Sequence, residues 1–346
     1  SLTSMEQSTP DGSPWRVIGR ALTSLWRARR DIVRFLRTGD PAVAHDLRRR
    51  FGIGEVIRAA HPIPGTLFAC DAPPKPQPAT IIIPIFNAAE HVERLLSHLP
   101  DTLPAHQHVI LIDDGSTDAR IAPLIDWFCR TWPNSDGIAL PNYEGFVTAA
   151  NTALDHMQSD HHAILLNSDA LPPQNWIPRL LAPFSQAADI ASVTPLSNNA
   201  EILSVPQAGV EGKPDAAMIA HMAAVAQQLG PRHIALPTGV GFCMAMRRQY
   251  LDRLGGFDPR FGRGYGEEVD WCRRTSAVGG RNVVVTNLVV GHDGCASFGA
   301  KDRRRRVTRA AGVLNRRYPD FECEVTAWQH SDPIAPERLA VSFALS

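Results

Sequence analysis

The sequence predicts an α/β fold, in which a mainly parallel sheet is flanked by helices. Three observations carry this. Apolar runs of strand length alternate with segments of helical periodicity. The runs are continuous, as in strands covered on both faces. The turns after them are polar and acidic, at the sheet end where open α/β folds bind ligands.

The first run, "TIIIPIF" from Thr80, is apolar and β-branched. Val92, Leu95, Leu96 and Leu99 then fall at helical spacing. "HVILI" is the second strand, and Ile121, Leu124, Ile125 and Phe128 mark a second helix. "GIAL" is a short third strand, Phe146 to Met157 a third helix, and "AILL" a fourth strand. The second half is more mixed. "IASVT" has strand composition, residues 214–230 look helical, and "GVGFCMAM" reads as a strand. "EEVDWCRRTSAVG" is a helix ended by glycine, and "RNVVVTNLVVGH" a strand or strand pair. Residues 301–318 form a basic helix.

With 346 residues and 44% hydrophobic content, the chain can bury a sizeable core. Residues 1–78 stand apart as a helical and linker extension. Ten arginines lie between Arg16 and Arg50, and "APPKPQP" at 72–78 is a stiff linker. Residues 15–38 read as a solvated helix with one packed stripe, or as a basic helix on anionic lipid. The main domain is expected at 79–318, with a tail at 319–346.

A formal net charge of zero argues against a general polyanion binder, so no nucleic-acid partner is expected. The six cysteines form no Cys-x-x-Cys pair and suggest no disulfide framework. No apolar stretch approaches a membrane span, and no secretory leader is evident. The expected location is cytoplasmic, free or peripheral at the inner membrane face.

The chemistry is read from the turn after each strand. Phe86 and Asn87 come after the first, "DDGSTD" after the second, "PNYEGF" after the third and "NSDA" after the fourth. Any one of these could be an ordinary turn; four at one edge mark a site. Neither a Gly-x-Gly-x-x-Gly nor a P-loop succeeds the first strand, which disfavours those nucleotide sites. Carboxylates would repel a phosphorylated ligand unless a hard cation, Mg²⁺ or Mn²⁺, lies between them.

"IIIPIFNAAEHVERLL", "LIDDGSTD", "NYEGFVTAAN", "LLNSDALPPQNWIPRLL" and "GRGYGEEVDWCRR" occur in that order. The set resembles a family 2 glycosyltransferase of the GT-A fold, with a Rossmann-like mixed sheet. "TPLSNNA" and "HDGCASFG" resemble segments of a bacterial, rhamnosyltransferase-like branch that builds polysaccharides. The resemblance spans roughly residues 79–318. It implies inverting, metal-dependent transfer of a sugar from a nucleotide-diphosphate donor to a hydroxyl of a glycan or lipid-linked acceptor.

By the same resemblance Asp113 and Asp114 match the pair that contacts base and ribose, and Pro84, Phe86 and Asn87 flank the base. Phe86 stands where the family often has tyrosine. Asn142 and Gly145 match a turn near the donor. Ser168 and Asp169 match the end of the DxD-type motif. Asn167 replaces its first acid, so the metal needs a further ligand, and His292 matches one. Glu268 holds the place of the catalytic base, with Glu267 beside it as the alternative. Asp270 and Trp271 are assigned to the acceptor, against a core role for the indole. Arg303 to Arg306 are a solvated helical face, or contact an anionic acceptor or the donor diphosphate. Two other classes stay open: a sugar-nucleotide pyrophosphorylase, which lacks its basic loop here, and a non-catalytic basic module.

Overall fold

The computed structural model describes residues 77–207, 216–294 and 300–345, with the backbone alone at 300–304. The arginine-rich segment at 15–38 and most of the linker at 72–78 lie outside the described residues.

The first half alternates as the periodicity predicts. β1 (Ala79–Ile85), α1 (Ala89–His98), β2 (His108–Asp113), α2 (Ile121–Thr131) and β3 (Ser135–Ala139) come in order. α3 (Phe146–His156), β4 (His162–Leu166), β5 (Ala170–Leu171) and α4 (Trp176–Gln186) are next. β6 (Ile190–Leu196), α5 (Ala216–Gln228), β7 (His233–Leu236), β8 (Cys243–Met246) and α6 (Arg248–Leu254) open the second half. α7 (Glu267–Ala277), β9 (Arg281–Val289), β10 (Gly291–His292) and α8 (Ala300–Arg317) match the expected elements, while β5, α4, β7 and α6 are additions to them.

Eight strands form one sheet in the order β3-β2-β1-β4-β8-β6-β9-β7. β1, β2, β3 and β4 are parallel, while β8 opposes β4 and β6, and β7 opposes β9. The sheet is therefore mixed. Alternate residues of β1 serve opposite faces. Ile81, Ile83 and Ile85 meet α1, α2 and α4, while Ile82 meets Val147 and Ala150 of α3 and Met244 of β8. All of these isoleucines are essentially fully buried. Burying one such side chain contributes roughly 1.5–3 kcal/mol, so this strand is a strong anchor for the edge beyond it.

The segment expected as a tail is folded. α9 (Phe321–Ser331) and α10 (Ala335–Leu345) come after α8. α9 lays a half-buried apolar stripe, Phe321, Val325 and Trp328, against the core. α10 packs on α5 and is anchored by ions. Glu337, fully buried, accepts from Arg232 Nε at 2.8 Å, and Arg338 pairs with Asp332. Arg338 also donates to the carbonyls of Ser204 at 3.0 Å and Ile202 at 2.5 Å. Among the described residues no helix is long and apolar enough to cross a membrane.

Candidate active site

The carboxyl ends of β1, β2 and β4 lie side by side, so the turns after them share one edge. The "DDGSTD" turn is braced from within. Asp113 Oδ1 accepts the Ser116 N–H at 2.8 Å, a short-range Asx turn. Asn87 sits in the left-handed region at φ 55°, which asparagine tolerates. Its Oδ1 accepts the N–H groups of Thr117 at 2.9 Å and Asp118 at 3.0 Å. Asn87 thus ties the first turn to the second.

Asp114 is buried, and its two oxygens accept the N–H groups of Glu144 at 2.8 Å and Gly145 at 2.9 Å. These amides open α3. Burial pushes the Asp114 carboxyl up, against the pull of those hydrogen bonds. Asp114 is therefore a frame for the corner, and Asp113 is the more exposed of the pair. Phe86 stacks on Tyr143 with ring centroids 4.2 Å apart. Asn142 is exposed beside them, and Pro84 is half-buried within β1. Gly145 has φ 101°, and a Cβ there would come within 2.6 Å of the Arg263 Cα. Only glycine admits both the dihedral and the contact.

Asp169 and His292 meet, although more than a hundred residues separate them. The device is a small antiparallel ribbon in which β10 pairs with β5, setting His292 opposite Ala170. His292 Nε2 lies 3.4 Å from Asp169 Oδ1, and both side chains are mostly buried, at 14% and 13% exposure. The imidazole is held from three sides. Nδ1–H donates to the Asn199 carbonyl at 2.6 Å, Asn198 clamps the backbone, and Phe242 stacks on the ring at 5.0 Å. A backbone acceptor at Nδ1 leaves Nε2 to face the carboxylate, as in metal-binding histidines. Burial pushes the Asp169 carboxyl up, but His292 outweighs it and holds it below the ordinary range. Burial pushes the imidazole down, and Asp169 outweighs that in turn.

Ser168 is half-buried in the same turn. Asn167 replaces a carboxylate and offers an amide 3.5 Å from His292 Nε2. Asp169 and His292 give one oxygen and one nitrogen ligand, a set that suits Mn²⁺ or Mg²⁺ with further oxygens from elsewhere. Among the described residues no group of three or more His, Cys, Asp or Glu could hold a metal.

Glu267 and Glu268 open α7. Each ends in an Oε2 atom that is buried without a hydrogen-bond partner. Burial pushes Glu267 well above the ordinary glutamate range, and the neighbouring Glu268 charge adds to it. Burial pushes Glu268 up to about 7, and Glu201 adds to that. Glu201 lies just after the Asn198–Asn199 segment that grips His292. A carboxylate near 7 is poised to exchange a proton at neutral pH.

Asp270 and Trp271 are placed differently from the expectation that they meet an acceptor. Asp270 is 0% exposed and accepts from Arg274 at 2.9 Å, Arg317 at 2.5 Å and Tyr318 at 2.8 Å. Trp271 is also 0% exposed and donates to the Gly255 carbonyl at 3.0 Å. Both hold α7 in place, and neither presents a surface to solvent. Their helical phase turns them into the core, while Glu268 remains partly open.

Sequence reasoning missed several neighbours. Arg94 of α1 pairs with Asp293 at 2.7 Å and donates to the Asp169 carbonyl at 3.4 Å. His91 lies 3.4 Å from Asp293. Asn198 and Asn199 grip His292, and Tyr143 packs on Phe86. "TPLSNNA" carried the two asparagines, but nothing in its local pattern shows their partner.

An α/β sheet ending in these turns, with a buried acid pair opening a later helix, defines a glycosyltransferase of the GT-A fold. The chain belongs to glycosyl transferase family 2, whose model matches residues 80–255, just over half of the 346. Among solved structures it is similar to the mannosyltransferase PcManGT from Pyrobaculum calidifontis in complex with GDP-Man and Mn²⁺. The TM-score is 0.51 at 19% identity, covering 91% of this chain and 84% of that one. It is also similar to GalNAc-T7 with UDP, GalNAc and Mn²⁺, with a TM-score of 0.51 at 17% identity. That match covers 73% of this chain and 56% of the other, so the chain spans little more than half of that relative. At these identities the likeness speaks for the fold. No curated protein sequence matches the chain.

Proposed function

We propose that the chain is an inverting, divalent-metal-dependent glycosyltransferase that uses a nucleotide-diphosphate sugar. The carrying observation is the meeting of Asp169 and His292 at 3.4 Å, through a ribbon built from distant segments. The two solved relatives were captured with Mn²⁺ and with GDP-Man or UDP, which supports this reading.

Asp169 and His292 would hold the metal, with the remaining ligands from diphosphate oxygens and water. The metal would supply charge neutralisation for the departing diphosphate. Asp113, Phe86 and the exposed Asn142 face the corner where base and ribose would lie. Asp114, Asn87 and Gly145 give that corner its shape. Glu268 would take the proton of the acceptor hydroxyl. The hydroxyl oxygen bonds to the anomeric carbon from the face opposite the diphosphate, and the bond from that carbon to the diphosphate oxygen breaks. The Glu268 side chain stays partly open, and a carboxyl that burial holds up to about 7 can exchange that proton at neutral pH.

The acceptor class is a hydroxyl of a glycan or of a lipid-linked glycan, worked on at the inner membrane face. The rhamnosyltransferase-like segments make a rhamnosyl donor one arm of the test. Donor hydrolysis and transfer with Mn²⁺ are measured across UDP-, dTDP- and GDP-sugars, in the parent chain, Asp169→Ala and Glu268→Gln. Each variant is expected to lose at least about a hundredfold in kcat. Full activity in both would overturn the assignments.

A further inference from the structure

Two regions that a transfer reaction must bring together are the donor corner and the loop leading into Glu268. One guanidinium joins them. Arg306, on α8, donates from Nη1 to the Tyr143 hydroxyl at 2.8 Å and to the Arg263 carbonyl at 2.9 Å. Tyr143 is the residue stacked on Phe86. Arg263 lies in the loop 262–266, and its guanidinium sits 4.9 Å from the Tyr143 ring centroid.

The loop is pressed against both sides. At Gly145 it touches the start of α3, as the 2.6 Å approach to Arg263 shows. At Gly266 it touches α8, where an added Cβ would meet Leu314 at 3.1 Å and Ala310 at 3.3 Å. Its backbone runs through the left-handed region at Gly262, Gly264, Tyr265 and Gly266. Tyr265 at φ 77° is uncommon for a bulky residue, and such a conformation persists only where neighbours enforce it. Glu267 and Glu268 come immediately after.

We propose that Arg306 is a positioning residue for sugar transfer: it ties Tyr143 to the carbonyl of Arg263, so that the donor corner and the loop carrying Glu268 hold one relative position. This rests on the reading of Glu268 as the base. One terminal nitrogen with two hydrogens serves both acceptors, and the guanidinium keeps its charge across the working pH range. Ala310 and Leu314 already pack α8 against the loop, so Arg306 is not needed merely to dock the helix. Its contribution is to register, and register is what places a base within reach of its proton.

The test uses Arg306→Ala, Arg306→Lys, Tyr143→Phe and the Ala/Phe double variant in the full chain. Two quantities are read: kcat and KM for hydrolysis of UDP-, GDP- and dTDP-sugars with Mn²⁺, and the rate of tryptic cleavage after Arg263. Arg306→Ala is expected to lower kcat about tenfold, with KM changed by less than about threefold. The double variant should be no slower than the slower single one, because both remove the same link. Lysine should restore at least about a third of the activity. Cleavage after Arg263 should quicken about tenfold in Arg306→Ala. Unchanged cleavage, additive losses, or a lowered melting temperature with kcat intact would each overturn the tie. If the parent chain turns over none of these donors, the reading as a nucleotide-sugar enzyme fails, and cleavage alone decides the tie.

Discussion

Replacing Glu268 by glutamine should remove activity and stabilise the fold at alkaline pH. The reason lies in burial. Moving this carboxyl from 4.5 up to about 7 disfavours its charged form by about 3 kcal/mol, at about 1.4 kcal/mol per pH unit. In the unfolded chain the carboxyl loses its proton near its ordinary value. In the native chain it holds that proton to about 7. Between those limits the native state binds more protons, so stability falls as pH rises through the window and is lowest above it. Glutamine keeps the shape and carries no charge. Glu268→Gln should therefore match the parent chain at pH ~4 and exceed it by about 3 kcal/mol at pH ~8. Urea denaturation midpoints at the two pH values measure this, with thermal melting expected to rise by several degrees at the higher one. Equal or lower stability of the glutamine variant at alkaline pH would refute the reasoning. It would mean that the charged carboxylate is satisfied in the native state, and that its buried Oε2 costs nothing.

Two further outcomes rest on the same physics of buried charge. Asp270→Asn removes the buried charge that Arg274 and Arg317 share, while Arg317 keeps Asp258 and Arg274 keeps the Leu254 and Gly256 carbonyls, so it should destabilise the chain by roughly 1–3 kcal/mol in urea melts; an unchanged midpoint would return Asp270 to the acceptor. His162 Nδ1 accepts the Arg248 N–H at 3.2 Å, and burial, then the Arg247 charge, push the imidazole down to about 4. The native state thus binds fewer protons than the unfolded chain, and stability should fall as pH drops from about 6.5 to about 4. His162→Gln should flatten that slope, and an equally steep one would reject the assignment.

The parts of this site that were legible in sequence are those whose placement is local. A continuous run such as "IIIPI" can only be an inner strand, so the residue after it must emerge at the sheet edge. Asp113 and Asp169 follow from that logic, whereas the acids opening α7 come after a glycine-rich loop and are singled out only by the family resemblance. Direction and face were less legible. "GVGFCMAM" reads as a strand, yet nothing in its composition says that it runs against its neighbours. Asp270 and Glu268 stand two residues apart, about 200° around a helix. One turns inward and the other stays partly open, and only packing decides which. α9 was hard to read for a different reason: its stripe, Phe321, Val325 and Trp328, is short and only half-buried.

Long-range pairing accounts for the rest. His292 could be matched to a ligand position, but what makes it competent is Asn199 at Nδ1, Phe242 on its face and the β5–β10 ribbon. These partners come from three separate segments, each with an ordinary local reason for its composition. In the proposed metal site, this construction offsets the missing acid at Asn167. A motif with two carboxylates can hold a metal from one turn. A motif with one needs a second segment fixed against it, and a ribbon of two short strands is the smallest device that sets such a register. The same logic applies to the proposed base. Glu268 sits at the end of a loop with four left-handed residues, which has little rigidity of its own, so its precision must come from the groups that press on it. Gly145, Gly266 and Arg306 are the points of pressure. The chemistry of this site is thus carried by single residues, and its geometry by contacts between segments that no local pattern connects.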